Sequence, residues 1–166
     1  MIKVKHVVVC GHSDCKAINL LYSLHTDPKT QNSSVAHGHL RYLLKKIKKM
    51  LAYATYCSAL KNYSKKALPA IQLYDSERIS KVFELAKSQN AKFVILSGKY
   101  GLVEAHQQIN YYDHLLDQTE VESHAGVMAS QIATKDISEI VFFSNSVQTD
   151  PNLLPYLRSI KRACEI

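Results

Sequence analysis

The sequence predicts a three-layer α/β domain with a mainly parallel, Rossmann-like sheet. Three apolar runs, "KVKHVVVC", "AKFVILS" and "EIVFFS", are rich in β-branched or aromatic residues and are typical of buried strands. Segments with helical periodicity alternate with these runs, which favours parallel strands joined by helices. The 166 residues contain no internal repeat and have the length of one ordinary domain, so a single domain over residues 1–166 is expected.

The first part of the chain is predicted to hold one strand and a basic helical insertion. "KVKHVVVC" predicts the strand, "AINLLYSLH" a short helix, and the turn formers of residues 26–38 a loop. From about residue 39 to 66 apolar residues recur at spacings of three and four, which predicts an amphipathic helix inserted into the domain. The apolar stripe of this helix comprises Leu40, Leu43, Leu44, Ile47, Met50, Leu51, Ala54 and Leu60.

The middle of the chain is predicted to form a strand flanked by helices. "LPAIQLY" predicts a short extended segment, after which Asp75 and Ser76 are suitable caps for a helix over residues 76–89. "AKFVILSGKYGL" predicts a strand that ends in a turn.

The last part is predicted to contain two helices around one strand. Thr119 and Glu122 have the spacing of a capping box, which predicts a helix ending near residue 134. "EIVFFS" predicts the next strand. Asp150 followed by Pro151 predicts the start of a final helix.

The positive charge is concentrated in one segment. The net charge is +7, and residues 28–74 contain no acidic residue, which favours contact with a phosphate backbone. Tyrosines at 42, 53, 56 and 63 lie among the lysines and arginine of this segment and could stack on nucleobases. One alternative is a solvated helix face. The other is contact with a membrane surface, which the lack of Trp or Phe on the apolar side weakens. The predicted nucleic-acid-binding residues are Arg41, Lys45, Lys46, Lys48, Lys49, Lys61, Lys65 and Lys66.

Targeting signals and membrane spans are not expected. No apolar run approaches the roughly 18–20 residues that cross a bilayer, and the N-terminal run is too short for a signal peptide. A cytoplasmic location without membrane association is therefore expected, with the four cysteines as free thiols or metal ligands.

The predicted functional site lies beyond the carboxyl ends of the strands, where ligand sites of open α/β sheets occur. We expect a pocket between residues 10–16, 74–76 and 97–100. In the turn, Gly98 and Gly101 could let the backbone hold an anion beside Lys99; the alternative is a tight structural turn with a buried tyrosine. The catalytic candidates are Cys10, Asp14, Ser97, Lys99, Tyr100 and Asp113, with Asp113 as an acid/base group.

The first strand end could also bind a metal ion. His12 and Cys15 are zinc-ligand types three residues apart in "CGHSDCKA", and a turn that enters a helix can bring both onto one ion. Cys10 or Asp14 could add a ligand, whereas the alternative is a strand end with buried cysteines and a helix cap. The residues alone leave the cofactor unidentified.

Residues 6–30, "HVVVCGHSDCKAINLLYSLH" and the positions after it, resemble the zinc-loop segment of β-class carbonic anhydrases. The resemblance implies that His12 and Cys15 bind zinc. The family's third ligand comes from an upstream CxDSR segment, which has no counterpart in the nine residues before Cys10; "YDSER" at 74–78 has tyrosine at the cysteine position. Cys57 or Cys164 would have to complete such a site.

Residues 67–164 resemble the YaaA peroxide-stress family and its short relatives. The resemblance rests on "AIQLYDS", on "ILSGKYGL" and on "INYYDHLL", with Tyr111 where the family usually has proline. In these relatives the first strand ends in a polar loop with a cysteine, a place that residues 10–16 could fill. The resemblance implies an α/β domain linked to DNA protection or nucleic-acid modification.

These observations favour a protein that associates with nucleic acid or a nucleotide and that could modify it enzymatically. The alternatives are a zinc-dependent lyase of the carbonic anhydrase type, with an incomplete site, and an interaction module without catalysis.

Overall fold

The computed structural model describes the backbone of residues 6–11 and all of residues 51–166. The strands are β1 (His6–Gly11), β2 (Leu51–Tyr56), β3 (Leu68–Pro69), β4 (Lys92–Ser97), β5 (Gly101–Glu104), β6 (Gln108–Ile109) and β7 (Glu139–Ser144). The helices are α1 (Ala70–Leu73), α2 (Glu77–Ser88), α3 (Val121–Thr134) and α4 (Leu154–Glu165). The single 3-10 turns Gln118–Glu120 and Pro151–Leu153 lead into α3 and α4.

Among the described residues, the main sheet has five strands in the order β1-β7-β2-β4-β5. The first four are mutually parallel, and only β5 runs antiparallel, because it returns from β4 through the tight turn at residues 98–100. A separate two-stranded sheet pairs β3 with β6. The predicted α/β class with a mainly parallel sheet is confirmed.

The central strands are covered on both faces. Successive residues of a strand point to opposite faces, and β4 and β7 are buried at every position from Phe93 to Ser97 and from Ile140 to Ser144. Helix α2 lies against β2 and β4, while α3 and α4 pack on each other and reach β5 and β1 respectively. These flanking helices complete the three layers. No helix among the described residues has the length and apolarity needed to cross a membrane.

The predicted helix over residues 39–66 is wrong from residue 51 onward. Residues 51–56 form β2, which pairs with β7 on one side and β4 on the other. Ala52, Tyr53, Ala54 and Thr55 are all buried, a pattern that an amphipathic helix with one exposed face cannot give. Residues 57–67 form a loop joined to the domain by a bridge between Lys61 and Tyr74. Residues 39–50 lie outside the described part of the chain.

Two further local predictions are corrected. In "LPAIQLY" only Leu68–Pro69 is extended, and residues 70–73 form the helical turn α1. The cap of the helix that ends at Thr134 is Asp117 rather than Thr119: its Oδ1 accepts from the Thr119 N–H at 2.8 Å, and Glu120 Oε2 accepts from the Asp117 N–H at 2.8 Å. This reciprocal capping box starts the 3-10 turn that leads into α3.

Two other helix predictions are confirmed, and the short helix predicted for "AINLLYSLH" lies outside the described residues. Helix α2 spans Glu77–Ser88, within one residue of the predicted 76–89. Asp150 accepts from the Asn152 N–H at 3.2 Å, and Pro151 follows it at the first helical position, as the sequence predicts.

Candidate functional site

The carboxyl ends of the parallel strands lie along one edge of the sheet. In the strand register Gly11 of β1 lies beside Ser144 of β7, and Tyr56 of β2 lies beside Leu96 of β4. The chain continues this pairing past β2, because the Cys57 N–H donates to the Leu96 carbonyl at 2.9 Å. The ends of β2 and β4 therefore present their next residues side by side.

A buried network of hydroxyl groups lies at the end of β4. The Tyr112 hydroxyl is 2.7 Å from Ser97 Oγ and 2.7 Å from the Tyr74 hydroxyl, and all three side chains are buried. Ser97 Oγ also accepts from the N–H groups of Lys99 at 3.3 Å and Tyr100 at 3.1 Å. Because these two bonds occupy both lone pairs of Ser97, its proton goes to Tyr112, whose own proton goes to Tyr74.

This network changes the interpretation of the turn after β4. The N–H groups of Lys99 and Tyr100 are used by Ser97, so the backbone of the turn is not offered to an anion. Burial raises the pKa of both Tyr74 and Tyr112 far above its usual range, so both phenols stay protonated. The backbone of the turn therefore serves the protein's own structure, and a ligand bound there would contact exposed side chains such as Lys99.

The two glycines of the turn serve packing and backbone geometry. A Cβ on Gly98 would lie 2.8 Å from the Tyr156 hydroxyl and 3.1 Å from the Leu116 nitrogen. Gly101 has a φ of +70°, and a Cβ there would press on the Gln131 side chain, which also bonds the Tyr100 carbonyl and the Leu102 N–H.

Cys57 is the cysteine that the structure places beside this network. Its Sγ lies 3.8 Å from the Tyr156 hydroxyl, which also accepts from the Leu116 N–H at 3.3 Å. Cys57 is buried and free of disulfide bonding. The sequence offers Cys57 only as a possible third zinc ligand, because its pattern assigns "LAYATYC" to a helix. As a strand, the same residues put a thiol directly at the carboxyl edge.

Arg78 holds the end of β2 in place. Its guanidinium lies 3.4 Å over the Tyr56 ring and donates to the Tyr56 carbonyl at 2.8 Å, to the Cys57 carbonyl at 3.4 Å and to the Thr55 hydroxyl. Burial lowers its pKa, while the nearby Tyr56 opposes this shift. Tyr56 is therefore engaged by Arg78, and Tyr53 packs edge-to-face on Phe143 in the core, so neither is placed to stack on a base.

His124 forms a buried support under the turn. Its Nε2 is 2.8 Å from the Ser97 carbonyl oxygen, which can only accept, so Nε2 carries the proton. Nδ1 then accepts from the Ser159 hydroxyl at 2.7 Å. Burial lowers the pKa of His124, and the neutral imidazole fixes the Ser97 carbonyl. It is a core histidine.

A cleft of about 420 Å³ opens beside this turn, here called the Asp113 cleft. It is lined by Gly98, Lys99, Tyr112, Asp113, His114, Leu116, Glu120, Ser123, His124 and Val127. Lys99 and Asp113 are exposed, and neither forms an ion pair within the described chain. Glu120 is already engaged, because its Oε2 is 3.3 Å from His114 Nε2 and accepts from the Asp117 N–H.

Next to the cleft lies a basic and aromatic area, here called the lysine–tyrosine surface. It comprises Lys61, Tyr63, Lys65, Lys66, Lys99 and Tyr111. The Tyr63 and Tyr111 rings meet edge-to-face at 5.4 Å and are 74% and 41% exposed, so both have free faces. Lys61 Nζ lies 4.9 Å and Lys99 Nζ 5.8 Å from the centre of the Tyr112 ring.

A larger cavity, of about 620 Å³, lies at the opposite edge of the sheet, but the lysines that line it already have partners in the protein. Lys135 pairs with Glu104 at 2.8 Å, Lys87 pairs with Glu84 at 3.1 Å, and Lys92 donates to the carbonyls of residues 135 and 136. The carboxyl edge is the better candidate site, because Lys99 and Asp113 form no ion pair with any residue that the structure describes.

The remaining predicted site residues fall partly outside the described chain. Cys10 lies in β1, with its backbone opposite Phe143, and Tyr100 packs edge-to-face on Tyr112 at 5.2 Å. Among the side chains of residues 51–166, no three His, Cys, Asp or Glu groups come together to hold a metal ion. Outside the described residues lie His12, Asp14, Cys15, Arg41, Lys45, Lys46, Lys48 and Lys49.

Comparison with known proteins finds two families. A family of unknown function, DUF6884, matches residues 53–146, and the carbonic anhydrase family matches residues 1–90. Beta carbonic anhydrase 1 of Caenorhabditis elegans and its counterpart in Caenorhabditis briggsae are each 73% identical to the chain over 26 residues. That segment is 16% of this chain and 10% of each relative, so the chain spans a tenth of the relatives it matches. No solved structure matches the chain.

Proposed function

The chain belongs to the family of unknown function DUF6884 over residues 53–146 and to the carbonic anhydrase family over residues 1–90. From the exposed rings and cations of the described residues, we propose that it binds single-stranded nucleic acid through the lysine–tyrosine surface. The observation that carries the proposal is the pair of exposed rings, Tyr63 and Tyr111, on a surface whose lysines form no ion pair within the described residues. Rings that can stack on bases and cations that can meet phosphates are the two elements of sequence-tolerant single-strand binding.

The lysines of this surface are available to a ligand. Within the described chain, none of Lys61, Lys65, Lys66 and Lys99 forms an ion pair, whereas the lysines of α2, Lys81 and Lys87, pair with glutamates. Lys61 and Lys99 lie around Tyr112 from two different segments, which brings their charges together on one side of the carboxyl edge.

Salt dependence tests the electrostatic part of the proposal. Four phosphate contacts on a single strand predict a slope of log K against log salt of roughly −3. A double variant K61A/K65A should reduce this slope by about 1.4 and weaken binding of a labelled mixed-sequence oligonucleotide. The matched control K81A/K87A removes the same charge from α2 and should leave the slope unchanged.

Stacking is tested separately. The variant Y63A/Y111A should lose roughly 1–3 kcal/mol of binding for each base that stacks, while the salt slope stays that of the unaltered protein. Undetectable binding at low salt, or equal losses in K61A/K65A and K81A/K87A, would refute the proposal.

A second candidate function is zinc-dependent carbon dioxide hydration, favoured by the carbonic anhydrase match. The donors that it implies, His12 and Cys15, follow β1 beyond the described backbone of Gly11. The described residues bring no three ligands together, so this candidate depends on a third donor that joins His12 and Cys15.

Of the two described cysteines, Cys57 is the better third ligand. It follows β2, two strands from β1, or roughly 10 Å between strand axes. Cys164 lies about 12 Å farther along α4 than Tyr156, away from the carboxyl edge, and burial raises its pKa to about 11.

Metal analysis of the purified full chain tests this candidate. Stoichiometric zinc that is lost in H12A, C15S and C57S but kept in C164S would support it. Metal-free protein, or equal zinc content in C57S and C164S, would exclude Cys57 as a ligand.

A further inference from the structure

The Asp113 cleft contains a cation and an acceptor that the protein leaves unpaired. Lys99 lies at its rim, on the turn after β4, and Asp113 lies on the segment that follows Tyr112. Neither side chain has an ionic partner within the described chain, in contrast to the neighbouring pair of His114 and Glu120. A ligand that complements this cleft carries an anionic group for Lys99 and a hydrogen-bond donor for Asp113, because a carboxylate only accepts.

The size and lining of the cleft suit one nucleotide. Its volume of about 420 Å³ falls in the range of roughly 300–1,000 Å³ that small-molecule sites occupy. Val127, half exposed, and Leu116 provide an apolar wall, and Ser123 adds a hydroxyl.

The cleft is also continuous with the lysine–tyrosine surface. Lys99 is a member of the lysine–tyrosine surface and also lines the cleft. Its Nζ lies 5.4 Å from the Tyr100 ring and 5.8 Å from the ring of Tyr112, which lines the cleft too. Tyr112 lines the cleft with one part of its ring, while Lys61 lies over the ring from the side of the surface. A strand bound on the surface can therefore direct one of its nucleotides into the cleft.

We propose that the Asp113 cleft is a nucleotide subsite in which Lys99 contacts the phosphate and Asp113 accepts from the exocyclic amino group of the base. The inference rests on the proposed nucleic-acid binding and adds base selectivity to it. Cytosine presents an amine at position 4 where uracil presents a carbonyl oxygen, so the carboxylate accepts from the first and repels the second.

The test compares cytidine and uridine monophosphate by calorimetric titration of the full chain. A base contact of this kind discriminates by roughly fivefold to 150-fold, so cytidine monophosphate should bind at least about fivefold more tightly. D113N should bring the affinity ratio close to one, because an amide can also donate to the uracil oxygen. K99A should weaken both nucleotides to the same degree and keep the ratio.

The matched control is D75N, which removes the same charge at an exposed aspartate outside the cleft. It should keep the preference for cytidine monophosphate. Equal affinities in the unaltered protein, or the same ratio in D113N and D75N, would overturn the inference.

Oligonucleotide binding separates this inference from the proposed function. Salt-dependent binding of an oligonucleotide without binding of either mononucleotide would overturn the subsite and leave the lysine–tyrosine surface standing. Selective binding of cytidine monophosphate without oligonucleotide binding would support the subsite and remove the proposed function.

Discussion

Replacing Tyr112 by Phe should destabilise the protein through the hydroxyl network alone. The substitution keeps the ring, which is 5% exposed, and removes the one oxygen that bonds both Ser97 and Tyr74 at 2.7 Å. Each buried hydrogen bond contributes about 1 kcal/mol net, and the Ser97 proton and the Tyr74 oxygen would lose their partner in a buried place. The expected loss in the free energy of unfolding is roughly 2–3 kcal/mol.

Urea unfolding measures this loss, with Y100F as the matched control. Tyr100 is half-buried next to Tyr112, and within the described chain its hydroxyl makes no hydrogen bond, so Y100F should change the free energy of unfolding by less than about 0.5 kcal/mol. The m-value should stay constant in both variants. If Y112F is as stable as Y100F, the hydroxyl network does not support the turn after β4.

Two further predictions concern the same turn. G98A should lower the free energy of unfolding by roughly 1–3 kcal/mol, because its Cβ would meet Tyr156 and Leu116. G126A, in the open part of α3, should raise the free energy of unfolding by about 0.5–1 kcal/mol. Equal effects of the two substitutions in thermal unfolding would refute the packing role of Gly98. Burial lowers the pKa of His124, so its contribution to stability is present above pH about 6.5 and is lost as the pH falls below that value. The urea midpoint of H124N should therefore fall less between pH 7 and 5 than the midpoint of the unaltered protein. Parallel pH profiles of the two proteins would contradict this prediction.

The sequence predicts the strands whose pattern is unambiguous and fails where two patterns coincide. "AKFVILS" and "EIVFFS" are continuous apolar runs bounded by turn formers, and they form β4 and β7. "LAYATY" is equally apolar, but it follows a lysine-rich segment with helical spacing, so Leu51 and Ala54 extend a helical stripe. Pairing with β4 and β7 on both sides makes it a strand, and this long-range effect has no local signal.

The candidate site is predictable only as far as single strand ends. Ser97, Lys99 and Tyr100 follow from the strand-then-turn pattern, and the structure places them at the carboxyl edge. The contacts that define their chemistry join distant parts of the chain: Cys57 reaches Tyr156 and His124 reaches Ser159. The sequence also cannot tell why Gly98 and Gly101 are glycines, because a glycine required by packing looks the same in a sequence as a glycine required for ligand binding.

Strands from both family matches pair in one sheet. The residues matched by DUF6884 include most of β2 and all of β4, β5 and β7, which are contiguous in the sheet order. Within the described part of the chain, β1, from the carbonic anhydrase match, pairs with β7 and extends this sheet in the same direction. Its carboxyl end therefore meets the edge where Cys57 and Ser97 lie, while Tyr156 and Ser159 of α4 reach the site from beyond the DUF6884 match. The Asp113 cleft and the lysine–tyrosine surface therefore lie within the DUF6884 match, whereas β1 extends the sheet edge and α4 supplies the Tyr156 and Ser159 hydroxyls that support the site.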